Sequence, residues 1–512
     1  MGVVGTAYLE PHGSIFCIDR NEVCMTGLRG DRLDAALLRL IGATLLGGIM
    51  GILDSTMVTV AADTLSGEFG SPLSVISWAS TGYLLALTVT IPVTGWAVGR
   101  YGVKRLWLFG LVLFLAASLA SALAWSVVSL IAFRVLQGAG AGILDPLVLV
   151  ILARAAGPGR AGRVMGMMGV VLSLGPVLGP VLGGLLLDSM GWRSMFFINI
   201  PIGIVAFLLA VRVIPGDRPE ERGARLPLDI TGFLLMAPGF AATVLALTQA
   251  GEHAEFAVPA VLVPLALGIA LLAGYVVHAL RIRRTEPLID MRLFASRSFA
   301  AGVTVQGLVG LGTYAGLFAL PLYYQVVHGH GAGAAGLLVA PLGLGSALAM
   351  PVAGRLSDRL GARSLVQGGA ALAAAAAAGL TFIGAESAVA WSALAAFAIG
   401  LGLGTVGAPT MGSLYRTLPQ DKVAQGSSVL YNLNQLGGAL GVACAALILA
   451  AAGTGTAAGP TEAVGGFQNA SWFLVAVGVA ILAASPLLPG RAHEIAAARR
   501  EPVTEAGGEG RL

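Results

Sequence analysis

Asp54, Arg134 and Asp145 are ionisable residues that lie well inside long apolar stretches of the chain. If those stretches cross a lipid bilayer, a charge at such depth is costly, and each residue becomes a candidate for a functional site. Burial disfavours a charged carboxylate, whereas a neighbouring arginine favours it. Together the two effects can leave a buried acid able to take up and release a proton near neutral pH.

Asp54 and Arg134 are expected to lie at the same depth. Asp54 is roughly 9 Å from the end of the first apolar stretch and Arg134 roughly 10 Å from the beginning of the fourth, at about 1.5 Å per helical residue. The two side chains can therefore meet if the first and fourth helices are neighbours. One interpretation is a proton-carrying acid beside an arginine, and the other is a permanent ion pair that holds two helices together.

Asp145 follows Arg134 by eleven residues, which returns it to the same helix face about 16 Å further along. Arg134, Gly138, Ala141 and Asp145 form one stripe, which we expect to line a cavity. Asp145 is interpreted either as a second proton or cation site, or as an acid near the inner mouth that is partnered by a loop arginine.

The composition requires a membrane environment. Hydrophobic residues make up 56% of the chain, charged residues make up 11%, and the mean hydropathy is +0.86, which excludes a water-soluble domain of this length. Apolar runs long enough for a bilayer of about 30 Å predict fourteen helical spans. They lie near residues 37–60, 74–97, 106–124, 127–153, 164–187, 195–213, 229–249, 256–280, 298–326, 333–356, 364–384, 389–414, 425–451 and 470–489.

Lysines and arginines predict the orientation of these spans, because cytoplasmic loops carry an excess of both. If both termini are cytoplasmic, 28 of the 30 Lys and Arg residues fall in the tails and inner loops. Arg134, inside a span, and Arg193, in an outer loop, are the exceptions. A different number of spans would break this alternation, so we expect a multi-pass protein of the inner (plasma) membrane with both ends inside.

A repeated loop motif divides the chain into two halves. It combines a glycine, an arginine five residues on and a second glycine two residues further. The two copies contain Gly95, Arg100 and Gly102, and Gly354, Asp358, Arg359 and Gly361. The repeat predicts two six-helix bundles with spans 7 and 8 interposed, and duplicated halves are typical of secondary transporters. The predicted segments are a tail 1–34, a first bundle 35–213, a linker 214–297 that holds spans 7 and 8, a second bundle 298–489 and a tail 490–512.

The fifth span carries a glycine–proline motif. Gly175, Gly179 and Gly183 recur every fourth residue and share one helix face, with Pro176 and Pro180 beside them. Such a glycine stripe lets a second helix approach closely, and the prolines make the helix bendable. A plain tight packing face is the alternative to a gating role.

The second half offers amides and tyrosines at membrane depth. These side chains can bind a lipophilic solute through a few hydrogen bonds while the rest of the wall stays apolar. Hydrogen bonding between helices alone is the alternative. The candidate residues are Gln306 and Tyr314 of span 9 and Ser428, Tyr431, Asn432 and Gln435 of span 13.

Enzymatic and nucleic-acid functions find no support in the sequence. Cys17, Cys24 and Cys444 have no metal-binding spacing, and no nucleophile–base pair or nucleotide-binding loop is present. The cations are spread over many short loops rather than concentrated on one basic face. We therefore expect no metal site, no cofactor and no nucleic-acid partner, and a monomer is compatible with the sequence.

Several stretches resemble the major facilitator superfamily, and specifically its EmrB/QacA-type fourteen-span drug:proton antiporters. The resemblance covers roughly residues 35–490 and rests on motifs in a fixed order. Besides the two loop motifs and the glycine–proline motif, they are LDSTMVTVA (53–61), RVLQGAGAG (134–142), GWRSMFFINIPIG (191–203), LPLYYQ (320–325) and YNLNQLGGALGVA (431–443).

The resemblance implies an all-α membrane protein with the major facilitator fold, which exports hydrophobic or amphipathic drugs by alternating access and uses the proton gradient instead of a cofactor. It implies that Asp54 is the proton-linked acid and that the glycine–proline motif seals the central cavity. A dedicated exporter of an endogenous metabolite or lipid is an alternative, as is a non-transporting sensor or scaffold. The chain departs from the family at Gly99, where the first loop motif normally carries an acid that steadies one conformation.

Overall fold

A computed structural model describes residues 35–156, 160–216, 227–282, 287–384, 386–419, 422–452 and 460–490. Within these ranges the fold is almost entirely helical, and the β-type pairing is one isolated antiparallel bridge between Gly361 and Gly490. The all-α fold predicted from the sequence is therefore confirmed.

The first half contains nine helices, two of which are single turns. Their bounds are α1 Ala35–Val60, α2 Ala62–Phe69, α3 Leu73–Ile76, α4 Trp78–Tyr101, α5 Val103–Ala122, α6 Val127–Ala156, α7 Ala161–Met190, α8 Ser194–Phe197 and α9 Asn199–Val213.

Two interposed helices and the second half follow. Their bounds are α10 Ile230–His253, α11 Pro259–Arg281, α12 Arg297–Val326, α13 Ala332–Leu360, α14 Ala362–Leu380, α15 Val389–Thr417, α16 Val423–Ala451 and α17 Pro460–Ala484, with short 3₁₀ helices at Met291–Ala295 and Ser485–Leu487.

Thirteen of the fourteen predicted spans coincide with one long helix each, and span 195–213 corresponds to α8 and α9 together. The boundary of the last span was wrong. We predicted 470–489, whereas α17 runs from Pro460 to Ala484. Among the described residues, twelve helices are long and apolar enough to cross a membrane. Helices α7 and α14 lie at the remaining predicted spans, and α14 is rich in alanine, which is only weakly hydrophobic. The exact number of fourteen crossings stays a prediction.

The repeated loop motif forms the same turn in both halves. Gly102 ends α4 with φ +87° and Gly361 ends α13 with φ +84°, a backbone conformation that glycine adopts without steric cost. Both turns lie at the same end of the helices, beside Arg105 and Arg363. We call it the arginine end, and the other the far end.

The glycine–proline motif packs inside the first half. A Cβ atom at Gly175 would overlap Ile52 of α1, and one at Gly179 would overlap Thr56. At Gly183 the Cα of Met57 would lie only 3.2 Å away. The stripe therefore brings α7 against α1, as the spacing predicts, and this contact lies within one bundle. The side chains of Pro176 and Pro180 lie outside the described residues.

The two halves meet near the arginine end. Helix α7 reaches α13 of the second half through a different set of glycines, because a Cβ at Gly162 would overlap Gly354 and one at Gly166 would overlap Met350. On the other side, the Ser428 hydroxyl of α16 donates to the Ile91 carbonyl of α4 over 3.1 Å. These contacts join the two bundles along two seams, α7–α13 and α4–α16.

The interposed helices lie against the α4–α16 seam. Helix α10 packs on α11 and also contacts α4 and α16. Tyr275 of α11 fixes the following loop, because its hydroxyl donates to the Ile289 carbonyl over 2.8 Å and accepts from the Ile289 amide over 2.7 Å. Next to it, Asp290 lies 3.8 Å from Lys422 at the start of α16.

Two alanine substitutions in α7 test the close packing on α1. Gly179→Ala is expected to lower the free energy of unfolding by about 1–3 kcal/mol, because the new methyl group overpacks a filled contact. Gly184→Ala is the matched control, since no atom lies within 4 Å of its Cβ position, and it should be neutral or stabilise by up to about 1 kcal/mol. Thermal unfolding of the purified proteins in detergent measures both, and equal unfolding temperatures would contradict the packing assignment.

Candidate functional site

Asp54 and Arg134 meet, as their predicted depths require. Both side chains are fully buried, and Arg134 Nη1 donates to Asp54 Oδ2. The other carboxylate oxygen, Oδ1, accepts from Gln137 Nε2 over 3.0 Å and from Asn199 Nδ2 over 2.8 Å. Three donors thus converge on one carboxylate and stabilise its negative charge.

Arg134 is also held by neutral groups. Its Nε donates to the Ala79 carbonyl of α4 over 3.1 Å, and its Nη1 donates to Gln137 Oε1 over 2.9 Å. The guanidinium carbon lies 4.2 Å from the centre of the Tyr83 ring, within the range of a cation–π interaction. The arginine therefore keeps polar and aromatic partners that do not depend on the charge of Asp54.

Gln137, Asn199 and Ser118 belong to this network but were not predicted from the sequence. Gln137 lies three residues after Arg134, which places both on one face of α6. Asn199 is the first residue of α9, directly after the break that separates α8 from α9, and its amide also donates to Ser118 over 3.0 Å. Each is a polar residue in an apolar segment, and that was the available signal.

Aromatic residues cover the network on the far end. Phe196 of α8 lies with its ring centre 5.8 Å from the guanidinium carbon of Arg134. Trp192 packs edge-on against Phe196 at 6.2 Å, and Phe69 of α2 packs against Trp192 at 5.6 Å. This stack encloses Asp54 on that side, and within the described part of the chain the polar partners of Asp54 come from the first half. In this conformation Asp54 and Arg134 have the geometry of a permanent ion pair that holds helices together. We call this ion pair the clamp.

Asp145 is partnered by a tyrosine of the other bundle. The Tyr431 hydroxyl of α16 donates to Asp145 Oδ2, so the partner is not a loop arginine. The stripe from Arg134 to Asp145 does not line the cavity described below, because a Cβ at Gly138 would overlap the Tyr83 backbone. That expectation was wrong because α4 covers this face of α6 at Gly138, and α1 covers it through Gly51 at Ala141 and Asp145.

A cavity of about 80 Å³ lies between the two bundles. The second half supplies most of its wall, and the first half supplies only Ile52, Leu172 and Ser173. Four of the six predicted cavity residues line it, namely Gln306, Tyr314, Tyr431 and Gln435. The side-chain oxygen of Gln306 is buried and has no hydrogen-bond partner among the described residues, so it is available to a bound solute.

Ser428 and Asn432 are placed elsewhere. Ser428 hydrogen-bonds to Ile91 in the α4–α16 seam, which matches the alternative of bonding between helices. The Asn432 side chain is 1% exposed, and neither amide atom has a partner within the described part of the chain. Both residues lie on the face of α16 that packs against other helices, although the spacing alone put them on one stripe with Gln435.

Asp358 shows what the acid of the loop motif does. Its carboxylate accepts from the backbone amides of Gly162 and Arg163, over 2.9 and 3.1 Å, at the beginning of α7. Arg416 donates to it over 2.9 Å. The acid thus ties α13 to α7, and a carboxylate at a helix N-terminus is favourable.

The first copy of the motif lacks this tie. A Cβ at Gly95 would lie 3.7 Å from the backbone of Ala424, so α4 contacts α16 at the first glycine of the motif. In the second half, α13 contacts α7 at the corresponding Gly354. At Gly99, four residues on, a Cβ would meet no atom within 4 Å. The arginines of the two motifs, Arg100 and Arg359, are exposed.

Two helical bundles around an internal cavity, with acids buried at membrane depth, form an arrangement that can bind a solute and move protons. The family model of the Major Facilitator Superfamily matches residues 44–442. The chain belongs to the Major Facilitator Superfamily. It is therefore a multi-pass membrane protein from a family of transporters.

Two relatives within the Major Facilitator Superfamily are similar over most of the chain. A multidrug resistance protein B homolog of Mycobacterium tuberculosis (strain ATCC 25618 / H37Rv) is 40% identical over 423 residues, which cover 82% of this chain and 77% of that protein. The riboflavin transporter RibZ of Clostridioides difficile (strain 630) is 30% identical over 403 residues, 78% of this chain and 85% of that protein. The resemblance to EmrB-type transporters is confirmed, because proteins named multidrug export protein EmrB also match the chain, at 33% and 32% identity.

A solved transporter structure has the same fold. The human organic anion transporter MFSD10 (TETRAN) aligns with a TM-score of 0.63 and 16% sequence identity, over 88% of this chain and 100% of that chain. The predicted major facilitator fold is thus confirmed.

A double-mutant cycle tests the clamp. Arg134→Gln leaves the buried Asp54 carboxylate without a cation, which should destabilise the protein by about 3–5 kcal/mol. Asp54→Asn with Arg134→Gln removes both charges, so the double variant should unfold at a higher temperature than Arg134→Gln alone. Unfolding of the native chain, of Asp54→Asn and Arg134→Gln singly and of the double variant in detergent gives the coupling energy, and additive losses would argue against a direct ion pair.

Proposed function

We propose that this transporter exports hydrophobic or amphipathic compounds, among them drugs and antibiotics, from the cytoplasm in exchange for protons. The observation that carries the proposal is the cavity between the bundles, whose wall combines aliphatic side chains with the polar groups of Gln306, Tyr314 and Gln435. A few hydrogen-bonding groups in an apolar wall suit a lipophilic solute. The relative named as a multidrug resistance protein supports the same class of substrate.

The arginine end is the cytoplasmic end in this proposal. Short loops rich in arginine favour the cytoplasmic side of the plasma membrane, and both termini then lie inside. The contacts between the bundles, at Gly162–Gly354 and Ile91–Ser428, lie near this end. The structure then corresponds to a transporter closed toward the cytoplasm, and rocking of the bundles about the cavity would open it there.

Asp54 is the proposed proton carrier of the first bundle, with Arg134 as its partner. Helix α1 presents Asp54 to the buried network and, two residues earlier, presents Ile52 to the cavity. Protonation neutralises the carboxylate and loosens its bonds to Arg134, Gln137 and Asn199. Because Arg134 keeps the Ala79 carbonyl and the Tyr83 ring as partners, the network can lose the ion pair without leaving the guanidinium unsolvated.

Proton exchange then drives export through a difference in stability between two states. Protonation from outside favours release of the compound and return to the inward-open state, and deprotonation toward the cytoplasm resets the carrier. The compound needs only to bind the two states, or the two protonation forms, with different affinity.

A dedicated transporter of one endogenous metabolite is the second candidate. The specific observation in its favour is the 30% identity with a riboflavin transporter. Transport by the purified protein in proteoliposomes, compared across dyes, antibiotics, lipids and riboflavin, separates the two candidates. Export of several unrelated lipophilic compounds supports the multidrug proposal, and transport of a single compound class supports the alternative.

Asp54→Asn tests the role of the proton carrier. Cells that carry the native chain should expel ethidium in a way that depends on external pH, and the variant should fall to the level of cells without the protein. Asp188→Asn is the matched control, because Asp188 is an exposed acid of α7 near the far end and should leave efflux unchanged. Fluorescence of ethidium-loaded cells measures the rate, and equal, pH-insensitive efflux by the native chain and Asp54→Asn would remove Asp54 from the mechanism.

A further inference from the structure

The hydrogen bond between Tyr431 and Asp145 crosses from one bundle to the other. Asp145 belongs to α6 of the first half and Tyr431 to α16 of the second half. Both residues lie close to the α4–α16 seam, since Ser428, one turn before Tyr431, bonds to Ile91 of α4. Any motion that separates α6 from α16 at this level therefore breaks the bond.

Among the described residues, no cation is hydrogen-bonded to Asp145 or forms an ion pair with it. Its side chain is 4% exposed, and within the described ranges its only polar partner is the Tyr431 hydroxyl. Asp54 differs, because it has an arginine. A buried ionised carboxylate with a single neutral donor is poorly compensated, so a change of its protonation state is less opposed than at a fully paired site.

The groups that face Asp145 from the surrounding helices are uncharged at neutral pH. They are Tyr83 of α4, Tyr314 of α12 and Tyr431 of α16. Helix α1 presents Gly51, whose Cβ position would lie 3.3 Å from Asp145 Oδ1, and α5 packs through Gly110 on the neighbouring Ile143. The charged groups of α7 lie at its ends, at Arg163 and Asp188. On α6, Arg154 lies nine residues beyond Asp145 and is exposed, and Arg134, eleven residues before it, is paired with Asp54 of α1.

We propose that Asp145 and Tyr431 form a proton-operated latch between the two bundles. The proposal rests on the proposed function, and it adds a second proton site that acts on the conformational equilibrium. When Asp145 is ionised, the Tyr431 hydroxyl donates to a negative oxygen and holds the cytoplasmic side closed. When Asp145 is protonated, the same hydroxyl faces a neutral acid, and the bond is weaker.

The size of the effect suits a transport cycle. A hydrogen bond to a charged acceptor exceeds a neutral one by roughly ten- to thirtyfold in an equilibrium constant. Loss of the charge would therefore shift the ratio of closed to open states by about that factor. Protonation favours opening toward the cytoplasm, and deprotonation there restores the latch, which is the direction that export in exchange for protons requires.

The latch is also placed where a solute can act on it. Tyr431 lines the cavity together with Tyr314 and Gln435, and its hydroxyl points to Asp145. A compound in the cavity that displaces this hydroxyl would change the same bond that the proton changes. An ordinary hydrogen bond between helices would differ from a latch in one respect, because its loss would not alter the response to pH.

Distances between spin labels at the cytoplasmic ends of the two bundles test the latch. Tyr101 of α4 and Leu360 of α13 are each 51% exposed and lie at the arginine end. They are replaced by cysteine in the full chain, with Cys17, Cys24 and Cys444 replaced by serine, and pulsed electron resonance gives the distance distribution between pH 5 and 9. The native chain should gain a population with a longer distance as the pH falls.

Three variants decide between the latch and a passive bond. Tyr431→Phe and Asp145→Asn should show the longer distance at high pH and lose most of the pH response. Tyr415→Phe is the matched control, because the Tyr415 hydroxyl bonds to Ser427 within the second bundle, at 2.9 Å, and it should behave as the native chain. Unchanged distances and an unchanged pH response in both Tyr431→Phe and Asp145→Asn would overturn the latch.

Transport of dyes and lipids, measured in proteoliposomes that contain the native protein, tests the exporter proposal independently of the latch. Opening that depends on pH and on Asp145, without export of any compound, would support the latch and contradict the exporter. Proton-dependent export with distances that ignore Asp145 and Tyr431 would support the exporter and overturn the latch.

Discussion

The cost of burying charge at membrane depth constrains the first bundle. An isolated Asp54 or Arg134 would be destabilising by several kcal/mol in this environment, so each must be held by partners from other helices. The carboxylate of α1 is bound by Arg134 and Gln137 of α6 and by Asn199 of α9, and the arginine reaches Ala79 of α4. Four helices are thereby fixed to one another near the far end. A bundle joined in this way can move as a unit, as the proposed rocking of the bundles requires.

Helix α7 contacts both bundles, through two different sets of glycines. Its later glycines, such as Gly179, press on α1 and keep α7 within the first bundle, whereas its early glycines, such as Gly162, meet α13 of the second bundle. Glycines bring the backbones of α7 and α13 close together without interdigitated side chains. The contact between these two helices can therefore separate in the proposed motion of the bundles. Asp358 then provides the polar tie at that seam, by accepting from the backbone amides at the beginning of α7, which have no acceptor within the helix.

Much of the fold and part of the site could be predicted from the sequence, because hydrophobic length, arginine alternation and helical depth are local properties. These properties placed the helices and brought Asp54 to Arg134. They did not identify the neighbour of each helix face, and that is where the predictions for the α6 stripe, Ser428 and Asn432 differ from the structure. Asn199 was missed because it acts through a break between α8 and α9 that no periodicity reveals. The start of α17 was misplaced because Pro460 begins a helix that is at first weakly hydrophobic.

The two halves differ in chemistry although their topology is repeated. The first holds the buried acids Asp54 and Asp145, and the second supplies most of the cavity wall, with Ile52, Leu172 and Ser173 as the contribution of the first. A proton bound in one half and a solute bound mainly in the other can exchange free energy only through contacts that join the halves, since a ligand shifts an equilibrium only by its difference in affinity for two states. Among the described contacts, the bond from Tyr431 to Asp145 joins a cavity residue directly to a buried acid. In the proposed mechanism, the coupling between solute and proton therefore has its shortest physical route through α16 and α6.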